Sequence, residues 1–140
     1  MKREILFRGK QIDNGKWVEG FFSNETCDGP FSPMYEQANI IKKGSGFWHT
    51  VDPDTVGQYT GLKDKNGQRI FEGDICRNTK TGEVVSVKWH GTFAGFVWSK
   101  QKENSNLSDF GELFRAYDKY EVIGNIHDNP ELIGGAHGQI

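Results

Sequence analysis

The chain is short of the residues that would quickly disclose a chemistry. Only 2 of its 140 residues are cysteine and 4 are proline. Cys27 and Cys76 stand far apart with no partner at metal or redox spacing, which excludes a zinc ribbon, a Cys-x-x-Cys redox pair and a disulfide framework. They are expected as free thiols of a reducing compartment, Cys76 as a small hydrophobe in or beside a strand. No apolar run nears the roughly 20 residues of a membrane-spanning helix, and 26% of the chain is charged, so a helical membrane protein is excluded. The opening Met1–Arg8 starts with basic residues, but Glu4 and Arg8 break any signal-peptide core. The expected location is the cytoplasm of the cell that makes it.

Catalytic patterns are missing too. The four histidines, at positions 49, 90, 127 and 137, are scattered; His49 near Asp52 and Asp54 is the nearest approach to a ligand set, and it reads as an exposed turn. No Ser or Cys lies in a nucleophile elbow, and Cys76 has no neighbouring base. Asp64, Glu72 and Asp74 cluster locally, yet acid–base work would need one of them buried with a raised pKa. They read instead as turn supports, Asp64 for a hairpin and Asp74 for a Gly-Asp turn. Gly44-Ser45-Gly46 is too short for a phosphate loop. The expectation is no enzyme, with an unrecognised enzyme as the lesser alternative, and no cofactor or metal.

What is present is turn chemistry between β-forming stretches. The chain has 18 glycines, mostly at turn positions, which favours many short strands over long helices. A turn over Gly9–Gly15, with an Asn-Gly at Asn14-Gly15, joins Ile5–Phe7 to Lys16–Phe22 as an N-terminal hairpin. Asn66-Gly67 is the strongest hairpin signal: a type I′ turn needs positive φ at both central residues, and that loop sets Asp64 opposite Arg69 and Leu62 opposite Phe71. Ser23–Pro33 is polar and broken by Gly29, Pro30 and Pro33, hence a loop. Ala38–Lys43 is a short strand, and Phe47–Val51 leads into a proline turn at Asp52-Pro53-Asp54-Thr55. Ile75–Asn78 and Glu83–His90 flank a turn closed by Gly82. Val85, Val87 and Trp89 recur at every second position, which puts Trp89 in the core. Phe93–Trp98 is a further strand. Phe110, Leu113, Phe114 and Tyr117 fall at helical spacing, so Asp109–Lys119 is predicted as a short helix despite Gly111. Tyr120–Ile126 is the last strand, followed by a proline-started turn at Asn129-Pro130-Glu131-Leu132.

These elements predict a mostly β protein: an N-terminal β region (1–59), an SH3-like small barrel (60–133) entered through the Asn66-Gly67 hairpin with the N-terminal hairpin region packed against it, one or two short helices, and a frayed tail (134–140).

Several stretches resemble one family. Tyr59-Thr-Gly-Leu-Lys-Asp-Lys-Asn-Gly67, Ile70-Phe-Glu-Gly-Asp-Ile75, Tyr120-Glu-Val-Ile-Gly-Asn-Ile126 and Asn129-Pro-Glu-Leu132 are similar to the YopX family of small bacteriophage and prophage proteins; Ile5-Leu-Phe-Arg8 and Trp17-Val-Glu-Gly-Phe21 fit its opening hairpin. The resemblance implies an SH3-type barrel in the second half and expression in a bacterial cytoplasm. It implies no activity, and no functional residue carries over.

Binding is the better-motivated class. The net charge of −2 lacks the basic bias of a general nucleic-acid binder. It divides unevenly, however: residues 1–59 hold 7 basic and 8 acidic side chains, residues 60–102 hold 8 and 4, and residues 103–140 hold 2 and 7. The candidate surface is Trp98, Phe93 and Tyr117 with Arg77, Lys80, Lys88 and Lys100. It suits a protein-interaction module, for a protein partner or a second copy of the chain. The alternative is single-stranded nucleic acid, with bases stacked on Trp98 or Phe93.

Overall fold

A computed structural model describes residues 4–26, 36–91, 94–99, 110–112 and 117–133. The chain divides into two compact units, residues 1–59 and 60–140.

The first unit is an antiparallel sheet of β1 (Phe7–Lys10), β2 (Trp17–Thr26), β3 (Glu36–Lys42) and β4 (Trp48–Val51), in the order β4-β3-β2-β1. The first residues of β5 (Gly57–Lys63) lie beside β1, with Phe7 opposite Gln58. The hairpin forms, but its first strand starts at Phe7 and takes in Gly9 and Lys10, which were expected in the turn. The turn is closed by Gln11 and Lys16, Gly15 has φ +70°, and the Asn14 side chain accepts the Lys16 N–H at 2.8 Å. Alternation then sends Val18, Ala38, Ile40 and Val51 into one buried cluster, packed by Phe7 and Val56. β2 runs on to Thr26 and pairs with β3 as far as Glu36. Ser23–Thr26, expected as loop, is therefore strand; ladder hydrogen bonds satisfy its backbone whatever the side chains. The loop's remainder, at 27–33 and including Cys27, lies outside the described residues.

The sheet of the first unit curls. Gln11 bridges to Val51, the Asp52 N–H donates to the Lys10 carbonyl at 2.8 Å and the Ile12 N–H to the Thr50 carbonyl at 3.2 Å. The end of β1 thus meets the end of β4. A Cβ on Gly9 would come within 2.8 Å of Val51 Cγ2, so the crossing needs a glycine there. The 3-10 turn Pro53–Thr55 locks it, with the Asp52 carboxylate accepting the Asp54 N–H and Thr55 Oγ1 accepting the Lys10 N–H.

In the second unit the remainder of β5 pairs with β6 (Arg69–Phe71). β7 (Asp74–Asn78), β8 (Val84–His90), β9 (Gly95–Ser99), β10 (Phe110–Glu112) and β11 (Tyr120–Asn125) form a five-stranded antiparallel sheet ordered β10-β9-β8-β7-β11. The protein is mostly β, with 3-10 turns at Tyr117–Lys119 and Pro130–Leu132. The last strand returns beside the first of the hairpin-linked set, as the sequence suggests. Among the described residues, however, the sheet is open: β10 and β11 are its edges, and they do not pair. The tip of the β5–β6 hairpin occupies β11 instead. Lys65 donates its N–H to the Tyr120 carbonyl at 3.1 Å, and Asp64 Oδ2 accepts the Val122 N–H at 2.9 Å. Ile70, Cys76, Val85, Val87, Trp98 and Tyr120 form the core.

Three local expectations change. The Asn66-Gly67 loop has three residues, not two: the Asp64 N–H donates to the Gln68 carbonyl, so Asp64 faces Gln68 rather than Arg69. Gly67 is left-handed at φ +82° and Asn66 is not. The cause is Asp64, whose Oδ1 accepts the N–H groups of Asn66 and Gln68 at 2.8 and 2.9 Å and favours a turn with one left-handed closing residue. The helix predicted over Asp109–Lys119 is strand at Phe110–Glu112, where Gly111 sits opposite Trp98 and a ladder outweighs a weak helical pattern. Trp89 has the inward parity of Val85 and Val87 but is 53% exposed, because β8 extends past the core. The tail at 134–140 lies outside the described residues.

Candidate functional site

Of the surface expected in the second unit, the described residues occupy different settings. Trp98 is 5% exposed and stacked on Tyr120, ring centroids 4.3 Å apart. It belongs to the core, and its Nε1 is buried without a hydrogen-bond partner among the described residues. Tyr117 is half-buried against the same core. Arg77 is committed across the sheet to Glu121, which its Nε reaches at 3.1 Å. Lys80 lies in the exposed turn between β7 and β8, and Lys88 is exposed further along β8. Phe93 and Lys100 lie outside the described residues. The exposed indole here is Trp89, edge-on to Phe96 at 5.3 Å.

Two of the three clustered carboxylates, Asp64 and Asp74, are structural. Asp64 is buried and accepts three backbone N–H groups, and Asp74 Oδ2 accepts the Phe71 N–H at 2.7 Å. Both fix turns, as their positions in the sequence suggest. Among the described residues no three His, Cys, Asp or Glu side chains gather as a metal cluster.

A more continuous surface lies in the first unit. Phe21 faces Ile41 across β2 and β3, and Ile41 faces Trp48 across β3 and β4. Directly opposed residues on one face of an antiparallel sheet have Cβ atoms about 4.5–5.5 Å apart, so the three make one apolar row. Phe21 and Trp48 are 55% and 54% exposed. The row is extended by Ile12, 64% exposed and held beside Thr50 by its backbone hydrogen bond. At this end a concavity of about 350 Å³ is lined by Gln11, Ile12, Asp13, Trp48, His49 and Thr50. His49 Nδ1 lies 3.1 Å from Gln11 Oε1, and Thr50 Oγ1 donates to Asn39 Oδ1 at 3.1 Å. Asp13 is exposed and makes no hydrogen bond or ion pair among the described residues. Such an arrangement can grip an apolar side chain and offer one carboxylate beside it; it assembles no nucleophile–base pair.

The sequence contained these residues but gave no reason to unite them. Phe21, Ile41 and Trp48 meet only through the β2–β3–β4 register, and Ile12 joins through the curl of β1 onto β4. Alternation within Lys16–Phe22 was the available signal, since it places Phe21 opposite in sense to the buried Val18.

The comparisons agree with the architecture. A family model described as YopX protein matches residues 6–134. The crystal structure of protein EF1440 from Enterococcus faecalis is similar at 27% identity and a TM-score of 0.51, over 94% of this chain and 99% of that one. No curated protein matches the chain.

Proposed function

The chain belongs to the YopX family, and from that premise we propose that it is a non-catalytic protein-interaction module, an accessory protein of a phage or prophage acting in the host cytoplasm. The reading rests on one observation: a row in which half-buried Ile41 links exposed Phe21, Trp48 and Ile12, and which ends in a concavity. Scattered surface hydrophobes are ordinary, whereas a contiguous apolar patch commonly marks an interaction site. Aromatic side chains such as these are the anchors on which interfaces concentrate their binding energy.

Among the described residues of the candidate surface, two members speak against single-stranded nucleic acid. Trp98 offers no stacking face, and Arg77 is paired. The test combines capture and titration. Partner capture from induced bacterial cells should succeed with the native chain and fail with a Phe21→Ser/Trp48→Ser variant of unchanged circular dichroism. Random single-stranded oligonucleotides should leave tryptophan fluorescence unaltered at low salt. Saturable quenching that weakens steeply with added salt would instead establish nucleic-acid binding. Light scattering at two concentrations separates a foreign partner from a second copy of the chain.

A further inference from the structure

The concavity at the end of the apolar row also carries information about what enters it. Its lining holds one formal charge, the Asp13 carboxylate, together with the exposed Trp48 ring. Gln11 is engaged with His49 and Thr50 with Asn39. Asp13 and Trp48 are not: neither makes a hydrogen bond, ion pair or ring contact among the described residues. A half-exposed indole and an unengaged carboxylate line one depression and favour the same kind of guest. The ring's negative face attracts a cation and the carboxylate neutralises it, while both repel an anion. At about 350 Å³ the space lies near the lower end of ligand cavities, roughly 300–1,000 Å³. That suits a side chain of a docked polypeptide. The first unit already uses such a pairing internally, with the Arg8 guanidinium 4.9 Å from the centre of the Trp17 ring.

We infer that this concavity receives an arginine side chain from the partner polypeptide, stacked on Trp48 and bridged to Asp13, while apolar residues flanking that arginine lie along Ile41 and Phe21. The inference rests on the protein-interaction reading above and supplies the partner's chemistry: a segment in which arginine alternates with apolar residues. Arginine is specified over lysine because its flat, delocalised cation both stacks on an indole and presents a fork of donors to a carboxylate. Alternation follows from the row itself, since a strand-like segment presents every second side chain to one surface. A phosphate backbone is disfavoured at this spot by Asp13.

The test uses the full chain and three blocked hexapeptides in which leucine alternates with arginine, citrulline or glutamate. The signal of the Trp48 indole N–H, assigned with Trp48→Phe, is followed by NMR. The arginine peptide should shift it saturably, the glutamate peptide should not, and the citrulline peptide should bind about fivefold to tenfold more weakly, as should the arginine peptide to Asp13→Asn. Asp13 is exposed in a turn, so that variant should keep the native spectrum elsewhere. Equal binding of arginine and citrulline peptides, an unaltered affinity in Asp13→Asn, or no shift at millimolar peptide would each overturn the inference. The two readings fail separately. If capture depends on Phe21 and Trp48 while the peptides show no preference for arginine, the apolar row stands and the cation site falls.

Discussion

Asp64 shows how much structure one buried side chain can determine. Its Oδ1 closes the β5–β6 turn on Asn66 and Gln68, and its Oδ2 reaches the Val122 N–H on β11. Hydrogen bonds to a charged group are worth about 1.5–3 kcal/mol, and stranding buried donors costs about 1–3 kcal/mol. Asp64→Ala should therefore lose about 2–4 kcal/mol in urea unfolding, with amide exchange at Val122 accelerated before that of Cys76. Asp64→Asn retains acceptor capacity and should lose less. Full stability in Asp64→Ala would mean that water replaces the carboxylate at no cost. Trp98 makes the opposite case. Its stacking on Tyr120 and its burial stabilise the core, while its Nε1–H is an orphan among the described residues. Phenylalanine removes the orphan and keeps an aromatic ring, so Trp98→Phe should stay within about 1.5 kcal/mol of the native protein in the same assay. Trp98→Ala should cost about 3–5 kcal/mol. A Phe variant as unstable as the Ala variant would show that the lost indole volume dominates.

At the scale of elements, two glycines serve different needs. Gly67 has φ +82° and nothing within 4 Å of an added Cβ, so Gly67→Ala introduces only left-handed strain of about 1–2 kcal/mol. Gly20 carries no such backbone conformation, yet its Cβ would lie 2.0 Å from the Ile41 carbonyl oxygen. Gly20→Ala must push β2 and β3 apart. It should lower the melting temperature well beyond Gly67→Ala and abolish exchange protection along that pair, where a matching small decrease for both would refute the steric account. The same contrast explains what could be read in advance. The turns at Asn14-Gly15 and Gly82 were legible because left-handed φ restricts residue choice locally. The Asn66-Gly67 loop was legible as a hairpin but misjudged by one residue, because the deciding bonds come from the Asp64 side chain. Alternation gave the right face for Trp89 and the wrong burial, since where a core ends depends on how far neighbouring strands extend. Phe110–Glu112 looked helical because periodicity cannot register a ladder partner such as Ser99 on a distant segment. The apolar row was illegible for the same reason: its members become neighbours only through strand register.

For the molecule as a whole, the two buried clusters draw their members from different units. Val18, Ala38, Ile40 and Val51 lie within residues 1–59, and Ile70, Cys76, Val85, Val87, Trp98 and Tyr120 within residues 60–140. A cavity is felt first by the side chains that line it, since close-packed interiors relax only partly around a deletion. Ile40 is fully buried, so Ile40→Ala should cost about 2–5 kcal/mol. Ile70→Ala should cost a similar amount from an equally buried position. The informative quantity is where each loss appears. In native-state hydrogen exchange, Ile40→Ala should release the amides of Val18 and Ile40's strand neighbours while Val85 and Val87 keep their protection, and Ile70→Ala should do the reverse. Opening in such contiguous groups is what cooperative subunits of a fold produce. If either substitution instead lowers protection in both clusters by the same free energy, the chain unfolds as a single cooperative body. The apolar row could not then loosen or tighten on a partner without engaging the second core as well.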